Sequence, residues 1–255
     1  MRTFGAERVS VAPRPPGVVT LGLLQGFRLE RDGGTFDVPL GIQRLVAFLA
    51  VHNRPLLRLY VAGNLWIDSS EEHANANLRT ALWRLHRLGF PLVDATRSHL
   101  SLAAGVVVDL HDSSRRARQV LRHEAAPARD DVDAILNGGD LLPDWYDDWV
   151  LVEREQFRQL RLLALETLCT DLAAAGSYAA AVEAGLACIA AEPLRESAHR
   201  ALIGAHLAEG NRVEAIRQFR TYESLVLDEL GVEPSAAIKR MLDGPGGDGR
   251  MTTDR

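Results

Sequence analysis

The chain has 255 residues, of which 47% are hydrophobic and 25% charged, a composition that fits a soluble protein with one large domain or two ordinary ones. No apolar run reaches the ~18–20 residues of a membrane span, and "VVTLGLL" at residues 18 to 24 is too short for the apolar segment of a secretion signal, so a cytoplasmic protein with no membrane partner is expected. The net charge of −5 speaks against a wholly basic nucleic-acid binder, but it is unevenly distributed.

Residues 17 to 109 hold nine arginines and eight acids, a balance of +1, whereas residues 140 to 243 hold ten basic residues and eighteen acids, a balance of −8. Within 73 to 99, Arg79, Arg84, Arg87 and Arg97 stand against the single acid Asp94, with His73, His86 and His99 beside them. A basic stripe therefore survives in an acidic chain. Only Lys239 among the 29 basic residues is a lysine, a skew that points to GC-rich coding sequence, so the arginine count carries no function by itself.

Pro13, Pro15 and Pro16 mark residues 1 to 16 as a disordered tail. Residues 18 to 39 alternate apolar and polar around Asp32-Gly33-Gly34, which predicts a small antiparallel sheet. The period then becomes helical. Ile42, Leu45, Val46 and Leu49 share one helix face, and a second short helix runs through Tyr60, Val61, Leu65 and Trp66 after the turn "HNRP". "SSEEHAN" predicts a capping box, with Ser69 as N-cap and Glu72 three residues on, for a third helix that ends near Gly89. "FPLVDATRSHLSLAAGVVVDL" then reads as two or three short strands around "ATRS". Sheet, three helices and hairpin is the order of a winged helix-turn-helix domain.

On the third helix Leu78, Ala81, Leu82 and Leu85 form an apolar face, while Thr80, Trp83 and Arg87 point away from it, flanked by Arg79, Arg84 and Asn77. A helix ~10–12 Å across fits a major groove about 12 Å wide, arginine can read guanine, and asparagine can read adenine. This makes Asn77, Arg79, Thr80, Trp83, Arg84 and Arg87 candidate recognition-helix residues. The plain alternative is a polar face that meets only water, and Trp83 could instead pack as core under the hairpin. Arg97, Ser98 and His99 are candidate contacts at the wing turn, where a solvated loop is the alternative. Arg54 and Arg58 flank the second helix as possible phosphate contacts.

From about 110 to 139 a linker helix is expected, with a boundary at Gly138-Gly139. Beyond it Gly176 and Gly210, Ala181 and Ala215, and Leu168 and Leu202 are each 34 positions apart, the tetratricopeptide period. Gly185 replaces the aromatic that Phe219 supplies one repeat later. Trp145, Tyr146 and Trp149 at a helix start are expected to brace the two domains, and Asp147 and Asp148 to sit at that helix's positive end. Cys169 and Cys188 form no C-x-x-C pair and have no histidine at ligand spacing, so free thiols, no metal site and no cofactor are expected. "GPGGDG" at 244 to 249 matches a dinucleotide fingerprint in letters only, because it follows a helix and too few residues follow it to build the required unit. The chain is expected not to be an enzyme.

"NLRTALWRLHRLG", "VAGNLWIDSSEEHANANLR", "LLPDWYDDWVLVEREQFRQLRLLALE" and "LDELGVEPS", in that setting, resemble the SARP family, the Streptomyces antibiotic regulatory proteins. The resemblance implies a mainly α protein: a winged helix-turn-helix with small antiparallel sheets, then an all-α tetratricopeptide-like domain. In those terms 1–16 and 244–255 are tails, 17–109 an OmpR-type winged-helix DNA-binding domain, 110–139 a linker helix and 140–243 a bacterial transcriptional activation domain. It also implies double-stranded promoter DNA bound at direct repeats by tandem protomers of a homo-oligomer, with RNA polymerase holoenzyme recruited to activate specialised-metabolism genes. The recognition contacts would fall on Arg79, Thr80, Trp83, Arg84 and Arg87. His86 departs from the arginine that many relatives carry, and neither a receiver domain nor an ATPase domain is expected. Two other readings remain open: a repeat protein that binds proteins, and a sensor whose acidic repeat groove takes a cationic ligand.

Overall fold

The computed structural model describes residues 17–123 and 129–243 and divides them into two compact units, one running to His111 and including Leu141–Glu153, the other made of Asp112–Asp140 and the chain from Arg154. The tails expected at 1–16 and 244–255, with the Gly-rich stretch at 244 to 249, lie outside the described residues.

In the first unit, β1 (Val19–Gly22) is buried at all four positions and pairs antiparallel with β2 (Arg28–Arg31), which pairs with β3 (Gly34–Thr35). The β2–β3 loop is Asp32-Gly33, both with positive φ (51° and 81°), the backbone a two-residue hairpin needs to match strand twist. Next, α1 (Leu40–His52) buries Ile42, Leu45, Val46 and Leu49 as their spacing requires, and stops at Asn53 in the left-handed conformation. β4 (Leu56–Leu57) leads directly into α2 (Arg58–Leu65), and α3 (Glu71–His86) follows. β5 (Val93–Ala95) and β6 (His99–Leu102) form the hairpin, with β4 on the outer side of β6. The last strand, β7 (Val106–Val108), leaves the hairpin and pairs parallel with β1, so the first sheet is mixed rather than purely antiparallel. Asp109 ties this junction together, because its carboxylate accepts from the amides of Leu23 (2.8 Å) and Leu24 (3.1 Å). Burial raises its pKa, and those amides, that of Leu110, and Arg28 act in the opposite direction.

One expectation is corrected here. The N-cap of α3 is Ser70, whose hydroxyl accepts from His73 N and lies 2.8 Å from His73 Nδ1. The Ser69–Glu72 box is therefore displaced by one residue, with histidine at the third position. A division does fall beside Gly138-Gly139, between Asp140 and Leu141, and the segment Leu141–Glu153 that follows returns to the first unit. Leu141 bridges Leu24, and the amide of Leu142 donates to Leu23 at 2.9 Å. Trp145 stacks on Phe27 with centroids 6.2 Å apart, Trp149 meets Phe48 edge-on at 5.1 Å, and Asp147 pairs with Arg44. Trp145 and Trp149, both half-buried, thus make ring contacts with residues of the first unit, and Tyr146 is exposed.

In the second unit the single linker helix expected over 110–139 is two helices, α4 (Asp109–Leu121) and α5 (Arg129–Leu136). Ala117, Val120, Val132 and Ile135 join one core with Leu162, Leu165 and Leu168 of α6 (Asp148–Ala174). Arg161 donates to the last carbonyls of α5, Ile135 (2.9 Å) and Leu136 (2.7 Å), satisfying groups that a helix end leaves unpaired.

The repeat then follows as α6 with α7 (Tyr178–Ala191) and α8 (Glu196–Glu209) with α9 (Arg212–Leu230), closed by α10 (Ala236–Asp243). Gly176 and Gly210 both take positive φ (75° and 86°) at the inter-helix turns, and Leu168, Leu202, Ala181 and Ala215 are fully buried. Gly185 has a structural reason. A β-carbon there would lie 3.1 Å from Leu202 and 3.2 Å from the Cys169 sulfur, so α7 approaches its neighbours too closely for an aromatic.

Candidate nucleic-acid interface

The site is built on α3. Ala74, Leu78, Ala81 and Leu85 are buried at i, i+4, i+7 and i+11, and this fixes which face is left outward. Asn77, Arg79, Thr80, Trp83, Arg84 and Arg87 are all exposed. Trp83 keeps 59% of its surface in solvent, so it is not core. Burying a tryptophan is strongly favourable, and a rigid exposed ring on an otherwise polar face is poorly explained by folding. Its ring carries the guanidinium carbon of Arg87 4.9 Å from its centroid. Thr80 donates its hydroxyl to Ala76 O at 3.0 Å, leaving it an acceptor and a methyl group. Among the described residues no carboxylate lies within ion-pair distance of Arg79, Arg84 or Arg87. His86 is exposed beside them.

The second piece is the turn between β5 and β6. Thr96 Oγ1 accepts from His99 N at 2.9 Å, and Ser98 Oγ lies 2.9 Å from His99 Nδ1, so the turn is held by its own short side chains. Arg97 and Ser98 are exposed and His99 is half-buried. Arg58 takes part in this turn directly. Its amide donates to Ser98 O at 2.9 Å and its Nη1 to Thr96 O at 3.2 Å, so it positions the wing. That role had no signal in the sequence, because it depends on β4 pairing with β6. Arg54 is exposed just after α1. The first unit therefore presents one helix face and one braced turn with cationic groups free to meet an anionic partner.

Among the described residues there is no group of three or more His, Cys, Asp or Glu that could hold a metal ion, and no helix long and apolar enough to cross a membrane. Both cysteines are buried and free; burial pushes the thiol pKa up to about 11 at Cys169 and about 12 at Cys188.

The family model described as "Bacterial transcriptional activator domain" matches residues 105–243, so it takes in α4 and α5 as well as the repeats. The regulatory protein AfsR of Streptomyces coelicolor is 28% identical over 258 residues, covering 93% of this chain and 26% of AfsR, so the chain spans about a quarter of that relative's length. Among solved structures, Mycobacterium tuberculosis EmbR, determined in complex with a low affinity phosphopeptide, superposes with a TM-score of 0.69 at 19% identity, covering 88% of this chain and 64% of EmbR. That likeness supports the mainly α fold with small N-terminal sheets followed by helical repeats. The SARP-type resemblance carried by "NLRTALWRLHRLG" and the 34-residue period is borne out, and the family is one of transcriptional regulators rather than of enzymes: the chain belongs to the bacterial transcriptional activator domain family.

Proposed function

We propose that this protein is a sequence-specific DNA-binding transcriptional activator that binds promoter direct repeats as tandem protomers and recruits RNA polymerase holoenzyme at specialised-metabolite genes. The observation that carries the reading is the outward face of α3: three arginines without carboxylate partners among the described residues, an asparagine, and a tryptophan left 59% exposed. A helix of this width enters a major groove, and these side chains match the donors, acceptors and methyl groups displayed there. Arg54, Arg97, Ser98 and His99 would act on the phosphates, which orient a protein without reading bases. The repeat helices of the second unit would leave their surface for polymerase.

Fluorescence anisotropy on labelled duplex DNA across a salt series tests the DNA reading. Each phosphate neutralised adds about −0.9 to the log–log slope, so Arg79→Ala and Arg84→Ala should each flatten the slope or lower the preference for specific over random duplex. Absence of salt-dependent binding by the folded protein would overturn the proposal.

The sensor reading is weaker. The second unit has a cleft of about 690 Å³ that includes Glu166, Asp171, Ser197 and Arg200. Glu166 already accepts from Arg195 and, at 2.6 Å, from Ser197, while Asp171 meets His123 at 3.0 Å. Those carboxylates are therefore engaged before a cationic ligand arrives.

A further inference from the structure

Trp83 on the exposed face of α3 and Arg87 at its C-cap sit one turn apart, the guanidinium carbon over the indole 4.9 Å from the ring centroid. Contact with the ring restricts a side chain that otherwise loses rotamer freedom on ordering, and it leaves the edge of the planar fork free to donate. Arg79 and Arg84 have no such ring contact among the described residues. The interface therefore contains one preorganised guanidinium and two unstacked ones.

From this we infer that Trp83 and Arg87 act as a single reading unit that selects two consecutive base pairs, a thymine directly beside a guanine. The inference rests on the DNA-binding reading above and gives that site its base preference. In the major groove guanine presents O6 and N7, which a guanidinium edge meets with two parallel hydrogen bonds, and thymine presents a methyl group suited to an apolar contact. The guanidinium carbon lies 4.9 Å from the indole centroid, and adjacent bases are about 3.4 Å apart along a strand. An indole and a guanidinium at that separation reach neighbouring base pairs, whereas straddling an unread one would need about 6.8 Å. Thr80 stands three residues before Trp83 with its hydroxyl hydrogen committed to Ala76 O, so it adds a methyl to the apolar side of the unit. Arg79 and Arg84, without a ring to hold them, are left to phosphates.

The test is selection from a random duplex pool with the full chain and with Trp83→Ala, Trp83→Phe, Arg87→Ala and Arg87→Lys. The wild type should enrich a motif containing thymine next to guanine. Both Arg87 variants should flatten the preference at the guanine, with about a tenfold to hundredfold loss on the selected site. Trp83→Ala should flatten the thymine and weaken the guanine, and Trp83→Phe should retain part of both. On the selected site, replacing that thymine by uracil removes only the methyl and should weaken the wild type severalfold without weakening Trp83→Ala further. These positions are exposed, so circular dichroism should show every variant folded. A wild-type motif without the step, or one that the variants enrich unchanged, overturns the inference and leaves DNA reading intact. No motif from the folded wild type removes the DNA-binding reading and this inference with it.

Discussion

The amide of Arg58, the first residue of α2, donates to the carbonyl of Ser98 in the wing turn at 2.9 Å, and its guanidinium reaches Thr96 O at 3.2 Å. One residue thus joins the helix that supports α3 to the loop expected to meet the DNA backbone. Arg58→Ala should keep the backbone bond and lose the side-chain one. Hydrogen exchange at Arg97, Ser98 and His99 should speed up severalfold while amides inside α3 stay protected, because a single partly exposed hydrogen bond contributes on the order of 1 kcal/mol. DNA affinity should fall equally on specific and random duplex; a loss confined to specific sequence would make Arg58 a base reader.

Gly185 occupies the place that Phe219 fills one repeat later, with Leu202 and Cys169 already at 3.1–3.2 Å from where its β-carbon would stand. Gly185→Phe, which restores the usual aromatic, should therefore destabilise the second unit, by more than the 1–3 kcal/mol typical of overpacking. Thermal unfolding followed by circular dichroism measures it. A rise in melting temperature would mean that α7 relaxes outward freely.

His199 is buried against Tyr222, with ring centroids 4.3 Å apart, its Nε2 2.8 Å from Pro193 O and its Nδ1 2.8 Å from Gln218 Nε2. The neutral ring that donates from Nε2 and accepts at Nδ1 satisfies both partners. Burial lowers its pKa below 6.5, against opposing effects of the Pro193 bond and Glu196. The unfolded chain then takes up the proton first, so this contribution is complete above the unfolded pKa and declines as pH falls through it towards the folded value. Melting of the second unit should drop between about pH 7.5 and 5.5, near and below the unfolded histidine value, and His199→Phe should remove part of that drop. An unchanged pH profile in the variant would contradict this.

Burial raises Cys169 to about 11 and Cys188 to about 12, which leaves almost no thiolate at neutral pH. Neither should react with a thiol reagent in the native protein, and labelling should follow unfolding in a denaturant series. Prompt labelling of either thiol would show that α6 and α7 open locally.

Much of this was legible in sequence because periodicity reports burial. The i, i+3, i+7 pattern of Leu78, Ala81 and Leu85 gives both the core face and, by subtraction, the outward positions. The 34-residue offset of Gly176 and Gly210 works in the same way, since a left-handed turn at the same place in each helix pair needs the same residue. What escaped depended on distant partners. The segment Leu141–Glu153 belongs to the first unit because Leu23, Leu24, Phe27 and Phe48 receive it, and nothing local in "LLPDWYDDW" encodes that. Ser69 and Ser70 are equivalent as caps by composition; the choice falls on Ser70, where His73 adds a side-chain contact to the backbone one. Arg58 looked like any exposed arginine until the pairing of β4 with β6 placed it against the wing.

The central claim is that the outward face of α3 reads promoter DNA. Selection of genomic fragments by the purified protein at about 150 mM salt, followed by sequencing, addresses it most directly. The account predicts enrichment of a motif repeated in the same orientation at about one helical turn, ~10–11 bp, which tandem protomers require. Fragments recovered without a shared motif by a folded protein would contradict it.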